Sequence, residues 1–141
     1  MKFKAPEMAE QLERSDHRLK WVLDWLDTYV KEKYGAEITV TCVERSRKET
    51  LLAYASAINP LTGQCYEPDD VPFSPHESRP CRAADVRSRD FTVGQCKEIE
   101  GALNKEWRYD MTRPNKRACI YHDVAGPHFH VQCHPKTVRA A

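Results

Sequence analysis

Gly126-Pro127-His128-Phe129-His130-Val131-Gln132-Cys133 alternates imidazole or amide side chains with apolar ones. Successive residues of a strand point to opposite faces, so Phe129, Val131 and Cys133 share one face and His128, His130 and Gln132 the other. The apolar set belongs against a core. Both histidines then point into whatever cleft the sheet floors, roughly 7 Å apart along the strand. Residues 117–122 just before it have strand character, and Asp123-Val124-Ala125-Gly126-Pro127 connects the two, so the pair predicts a hairpin.

Working back from that hairpin, residues 92–107 read as a helix. Val93, Cys96, Ile99, Leu103 and Trp107 share a face, and Thr92 with Gln95 can form a capping box. Residues 82–87 read as a short strand with Ala83, Asp85 and Arg87 on one face, and Pro80 rules out a regular helix between His76 and Asp85. The segment from Asn59 to Pro75 carries Pro60, Gly63, Pro68, Pro72 and Pro75. Irregular loops of that length are more often functional than accidental, and this one leads into His76 as a candidate cleft wall.

Residues 37–43 alternate as a strand, with Ile38, Val40 and Cys42 expected on one face and Thr39 and Thr41 on the other. Ser46 with Glu49 marks a capping box for a helix expected to run through Leu51, Leu52, Tyr54, Ala55 and Ile58 and to stop at Asn59-Pro60. Near the start, Leu19, Val22, Leu23, Leu26, Tyr29 and Val30 recur at helical spacing, with Ser15 as the expected N-cap and Gly35 as the stop. Trp21 and Trp25 lie on the flank of that helix, where packing under a sheet or arm is the commoner use and a partner surface the alternative. Residues 1–14 are polar and read as a loose arm or short helix. The fold class expected is α+β: one domain over residues 1–141, with a small, mostly antiparallel sheet and helices packed on one face.

The 141 residues suffice for one real core. A net charge of +1, with Lys and Arg interleaved with acids, gives no electrostatic reason to propose nucleic acid or an anionic membrane as partner. Nothing approaches a membrane-spanning run, and no apolar stretch follows the basic opening residues. The expectation is synthesis in the cytoplasm without a secretory signal, with release to the cell wall, if any, by a separate factor. In that setting the six cysteines are expected as reduced and mostly buried thiols. None forms a Cys-x-x-Cys pair.

The chemistry sits in Ser74-Pro75-His76, Asp85 and His128-Phe129-His130. Two neutral imidazoles and one carboxylate suit a zinc ion, and a fourth position left to water implies catalysis rather than scaffolding. The bland alternatives are Asp85 as a buried partner for Arg87 or Arg82, Arg45 as a surface arginine, and a closed structural zinc site recruiting Cys81 or Cys133.

The pattern Ser74-x-His76, Ala83-Ala84-Asp85 and His128-x-His130 resembles the zinc peptidases grouped with lysostaphin, D-Ala-D-Ala metallopeptidases and hedgehog. It is nearest the D-Ala-D-Ala carboxypeptidase and L-alanyl-D-glutamate endolysin branch, where a strand ending in an Arg-Ser turn, here Val43-Glu44-Arg45-Ser46, precedes the Ser-x-His motif. The resemblance covers residues 37–133. It implies a hedgehog/DD-peptidase-like fold and zinc bound by His76, Asp85 and His130. It further implies that His128 borders the reacting carbonyl, and that Arg45 binds substrate or stabilises charge. The substrate implied is a peptidoglycan stem peptide and the setting a phage-type lysis enzyme; a non-catalytic zinc-binding domain with an interaction or assembly role is the alternative. The His76-to-Asp85 interval is longer than the family's usual one, which implies a bulge around Arg79-Pro80-Cys81. Pro127 stands where many members carry the acidic general base, leaving proton transfer to His128, with His122, Asp123 or Glu77 as alternatives.

Overall fold

The computed structural model describes residues 1–123 and 126–140. In chain order the elements are β1 (Lys2–Phe3), α1 (Glu7–Glu13), α2 (His17–Tyr34), β2 (Thr39–Cys42), α3 (Arg47–Ala53), β3 (Ala83–Arg87), α4 (Val93–Glu106), β4 (Trp107–Arg108), β5 (Cys119–Asp123), β6 (Pro127–Gln132) and β7 (Val138–Arg139). The architecture is α+β, with a mixed five-stranded sheet in the order β1-β2-β3-β6-β5 and a separate two-stranded pair of β4 and β7. Only β1–β2 is parallel; β2–β3, β3–β6 and β6–β5 are antiparallel. No helix among the described residues is long and apolar enough to cross a membrane.

Alternation on β6 is realised: Phe129 and Val131 are fully buried and Cys133, just beyond the strand, nearly so. They share one hydrophobic cluster with Leu19, Val22, Leu23, Leu26 and Val30 of α2 and with Cys96, Ile99 and Leu103 of α4. Leu12 of α1 joins the same cluster, so α1, α2 and α4 cover this face of the sheet. The expected one-sided arrangement fails for α3. Its one buried residue is Thr50, and Ala53 and Tyr54 line the cleft on the other side.

Local chemistry sets most helix ends. Thr92 caps α4 and Ser46 caps α3, each in a full capping box, with Gln95 and Glu49 as the respective partners. Gly35, at φ 64°, closes α2 in the left-handed conformation that glycine adopts without a Cβ clash. Asp16, rather than Ser15, is the N-cap of α2: its carboxylate accepts from the Arg18 amide at 3.0 Å, while the Ser15 hydroxyl turns back to the Leu12 carbonyl at 2.6 Å.

Residues 1–14 are not a loose arm. The amides of Lys2 and Lys4 donate to the carbonyls of Ile38 (2.8 Å) and Val40 (2.9 Å), so β1 extends the sheet edge, and α1 follows it. A two-residue strand has no period to read, which is why the pattern missed it; β4 and β7 escape for the same reason. Helix α3 also ends earlier than expected, because Ile58 leaves it to bridge Cys65 and the Asn59 amide donates to the Gln64 carbonyl at 2.7 Å. In the hairpin, Asp123 pairs with Pro127, which tightens the expected five-residue connection; Val124 and Ala125 within it lie outside the described residues.

The largest departure lies in β2. Val40 pairs with Val86, but Cys42 pairs with Asp85 instead of Ala84, a one-residue register shift at Thr41. Such a bulge reverses the facing of everything beyond it. Cys42 therefore leaves the core face expected for it and stands beside Asp85. All six cysteines are free thiols; Cys81, Cys96, Cys119 and Cys133 are buried, Cys42 is partly exposed and Cys65 exposed. Trp25 stacks on Tyr29 at 5.1 Å against the core edge, whereas Trp21 is exposed.

Because Phe129 anchors β6 to the helices from between the two histidines, Phe129→Ala is expected to cost about 3–5 kcal/mol. Denaturant unfolding measures this directly, and a loss below 1 kcal/mol would mean that β6 is not held from its apolar side.

Candidate metal centre

Strand register lines up two rows of side chains across the sheet face opposite the core. Cys42, Asp85, His130 and Ile120 are cross-strand neighbours on β2, β3, β6 and β5. One step along, Arg87, His128 and His122 form the second row. His76 reaches this face from outside the sheet. Ser74 caps a single 3-10 turn, Pro75–Glu77, its hydroxyl accepting from the His76 amide at 3.2 Å while the Glu77 carboxylate accepts from the Ser74 amide at 2.8 Å. The Ser-x-His motif is thus a capped turn that fixes where His76 enters. Glu77 is consumed by that cap and by Arg47 at 3.5 Å, which removes it as a candidate base.

All four ligand-type residues singled out from the sequence converge on one atom. Asp85 Oδ1 lies 3.1 Å from His76 Nε2, 3.3 Å from His130 Nδ1 and 3.6 Å from His128 Nε2. The far side of each ring is committed to a carbonyl oxygen, which can only accept. His76 Nδ1 donates to Val43 O at 2.6 Å, and His128 Nδ1 to Gly126 O at 2.8 Å. His130 Nε2 donates to Gln132 Oε1 at 3.2 Å, and the Gln132 amide nitrogen is itself turned outward to Arg117 O at 2.8 Å. A neutral imidazole carries one N–H, so the inward nitrogens present lone pairs. Three lone pairs facing a carboxylate repel one another unless a cation stands among them, and carbonyl-anchored histidines are the usual outer support of a metal site.

Spacing agrees with a small ion. Ligand atoms bound tetrahedrally at about 2.0–2.1 Å lie about 3.3 Å apart, and the Asp85 contacts to His76 (3.1 Å) and His130 (3.3 Å) lie at or just below that value. Cys42, His76 and Asp85 also offer ligand atoms within 4.8 Å of one another, so this group could hold a metal ion with sulfur as the third donor. The Cys42 thiol is pushed up to about 11 by burial and the Asp85 charge, which keeps it protonated, and its sulfur contacts Arg45 Nη2 at 3.7 Å. Sequence reasoning passed over Cys42 because the bulge at Thr41 leaves no mark in the alternation. The cysteines it did consider turn elsewhere: Cys81 faces the carbonyls of Val43 and Ala83, and Cys133 is in the core.

Asp85 is almost wholly enclosed. Burial alone would raise its carboxyl, but the His130 and His76 rings set against it outweigh that and hold it far below the usual carboxylate range. Its second oxygen takes Arg45 Nη2 at 3.2 Å, and the Arg45 backbone amide donates to the His76 carbonyl at 3.1 Å. Arg45 is therefore part of the site rather than a surface arginine. Arg82, the bland partner for Asp85, pairs with Asp16 instead.

A cleft of about 800 Å³ opens over both rows, walled by Pro72, Phe73, Ser74 and Pro75 of the long segment. That wall is tied down by Arg47, whose guanidinium donates to the carbonyls of Pro68, Val71 and Pro72 at 2.8–3.4 Å. His122 lines the cleft with its ring centroid 4.5 Å from that of His128. Its Nε2 is buried without a hydrogen-bond partner among the described residues. Burial first, then the neighbouring His128 and His130, lower its pKa to about 4. Asp123 is exposed at the strand end and does not line the cleft. No protein-family model, curated protein or solved structure matches the chain, so the resemblance rests on these residues and their arrangement alone.

The His122 shift has a definite sign. Its neutral ring is favoured in the folded state, so stability is full above the ordinary value of 6.5 and declines as pH falls toward about 4. Wild type should therefore lose stability over that window, and His122→Gln should lose less. Unfolding at pH 7, 5.5 and 4.5 checks this; parallel curves would mean that His122 does not titrate abnormally.

Proposed function

We propose that this chain is a zinc-dependent peptidase that hydrolyses amide bonds in peptidoglycan stem peptides, with a fold of the hedgehog/DD-peptidase kind. The observation that carries the reading is the convergence of carbonyl-anchored imidazole lone pairs on the buried Asp85 carboxylate at the floor of an open cleft. His76, Asp85 and His130 would hold the ion. Zinc bound there supplies Lewis-acid polarisation of a carbonyl and water activated near neutral pH.

The chain's own groups divide the remaining work. His128 Nε2 faces the same point, and its ring is oriented by the Gly126 carbonyl, so it is placed to take a proton from water and return it to the departing amine. Pro127 cannot serve, and its own carbonyl is occupied by the Ser88 hydroxyl at 3.0 Å. His122 packs against the His128 ring from β5 and keeps it facing the cleft. Arg45 balances the second Asp85 oxygen and presents the rest of its guanidinium to the cleft, where it can stabilise developing negative charge. Action on wall peptides places the protein's work at the cell wall, with a phage-type lysis role as the setting.

A second reading is favoured by one observation, the proximity of Cys42 to His76 and Asp85. Sulfur closing the coordination shell would make a structural, non-catalytic zinc domain. Metal analysis separates the two. Asp85→Asn and His130→Ala should each lower zinc affinity by orders of magnitude, while Cys42→Ser should leave it within a few fold; zinc loss on Cys42→Ser would establish the closed site.

His128→Ala is expected to retain zinc and to lose roughly two to four orders of magnitude in amine release from purified peptidoglycan. Release at the wild-type rate would remove His128 from the chemistry. Zinc loss from His128→Ala with retention in His130→Ala would exchange the roles of the two histidines.

A further inference from the structure

The cleft carries a charge that the whole chain does not. Net charge over 141 residues is +1. Yet Lys4, Arg45, Arg87 and Arg89 all line the cleft, and Asp85 is the one carboxylate among the described residues that does. Arg45 and Asp85 answer each other. Lys4, Arg87 and Arg89 have no carboxylate within 4.0 Å among the described residues, whereas Arg14, Arg18, Arg82, Arg113 and Arg139 are all paired on other surfaces. Asp90, next to Arg89 in sequence, and Asp123, opposite Pro127 on β5, do not line the cleft.

Their positions follow from the sheet. Arg87 is two residues beyond Asp85 on β3, on the same face and opposite His128. Arg89 continues in that direction. Lys4 follows β1, its amide on the Val40 carbonyl, and Val40 is opposite Val86. The three cations therefore gather at the Val40–Arg87 end of the sheet, while Arg45 follows β2 at the opposite end, next to His76. The Asp85 cluster lies between the two.

We infer that Lys4, Arg87 and Arg89 form an anion subsite that binds a carboxylate on the substrate, within about two residues of the bond positioned at the Asp85 cluster. The spacing sets that register: two strand residues cover roughly 6.6–6.8 Å, and an extended peptide advances about 3.3–3.6 Å per residue. Like-signed cations gathered at one end of a cleft repel one another without an internal counter-charge, and an anionic ligand restores the balance. Guanidinium groups suit a carboxylate because they can grip it with two parallel hydrogen bonds. This inference rests on the peptidase reading for the identity of the ligand, but not for the presence of the subsite.

The test is calorimetric binding of the peptidoglycan stem pentapeptide, with its carboxylates either free or all converted to carboxamides. Zinc-loaded His128→Ala protein is used so that the peptide survives the titration. The free acid should bind at least tenfold tighter than the amide, with a preference that weakens as salt rises. Adding Arg87→Gln and Arg89→Gln should reduce that preference to within about twofold while zinc content and the circular-dichroism spectrum stay unchanged. The charge-retaining pair Arg87→Lys and Arg89→Lys should keep most of it, and Arg89→Gln alone, at an exposed position, should give a partial loss without risk to folding. An acid-to-amide ratio that is the same in all four proteins, or the absence of binding, overturns the subsite. Amine release from peptidoglycan by the wild-type protein decides the peptidase reading separately. Release without acid preference sinks the subsite alone, and acid preference lost with the glutamines but no release sinks the peptidase reading alone.

Discussion

Asp85 is a carboxylate with almost no access to water, and everything on the site face is arranged around keeping it charged. An isolated carboxylate at such depth would take up a proton rather than remain ionised. Here one oxygen meets three imidazoles and the other a guanidinium. Those partners come from three separate places: the capped turn at Ser74, β6, and the Arg45 turn after β2, all brought against β3 by the order β2-β3-β6. Removing one partner would leave buried charge uncompensated, so the site and the sheet register depend on each other.

The same strand does both jobs on β6. Phe129 and Val131 insert into the core beneath α2 and α4, and the alternation that buries them is what aims His128 and His130 at Asp85. A one-residue slip would exchange the two sets, placing imidazoles in the core and a phenyl ring in the cleft. Core packing therefore acts as the device that holds the geometry of the candidate site, which a site on a loop would lack. β2 shows the complementary device. Its bulge at Thr41 keeps Val40 in the core yet turns Cys42 toward the site, and it lets the Thr41 hydroxyl reach the Asp85 carbonyl at 3.4 Å.

Several features were legible in the residues themselves, because each depends on neighbours a few positions away. The capping boxes at Ser46 and Thr92, the two-faced strand around His130, and the shared face of Ala83, Asp85 and Arg87 are local matters of hydrogen-bonding reach and side-chain period. The residue types at 76, 85, 128 and 130 were enough to nominate a metal centre, since imidazole and carboxylate are what such an ion requires.

What the residues could not disclose was anything fixed by pairing across the chain. A parallel two-residue strand exists only because Lys2 and Lys4 find the carbonyls of Ile38 and Val40. Cys42 stands beside His76 and Asp85 only because β2 shifts register against β3. His122 is a neighbour of His128 only because β5 pairs with β6. Arg45 serves Asp85, forty positions away in sequence, while Arg82 serves Asp16. Interleaved charges that look balanced along the chain separate in space, leaving Lys4, Arg87 and Arg89 on one cleft. Sequence determined which side chains were available and which local face each would take; the tertiary structure decided which of them meet, because contacts between distant strands depend on register, and register is a property of the assembled sheet.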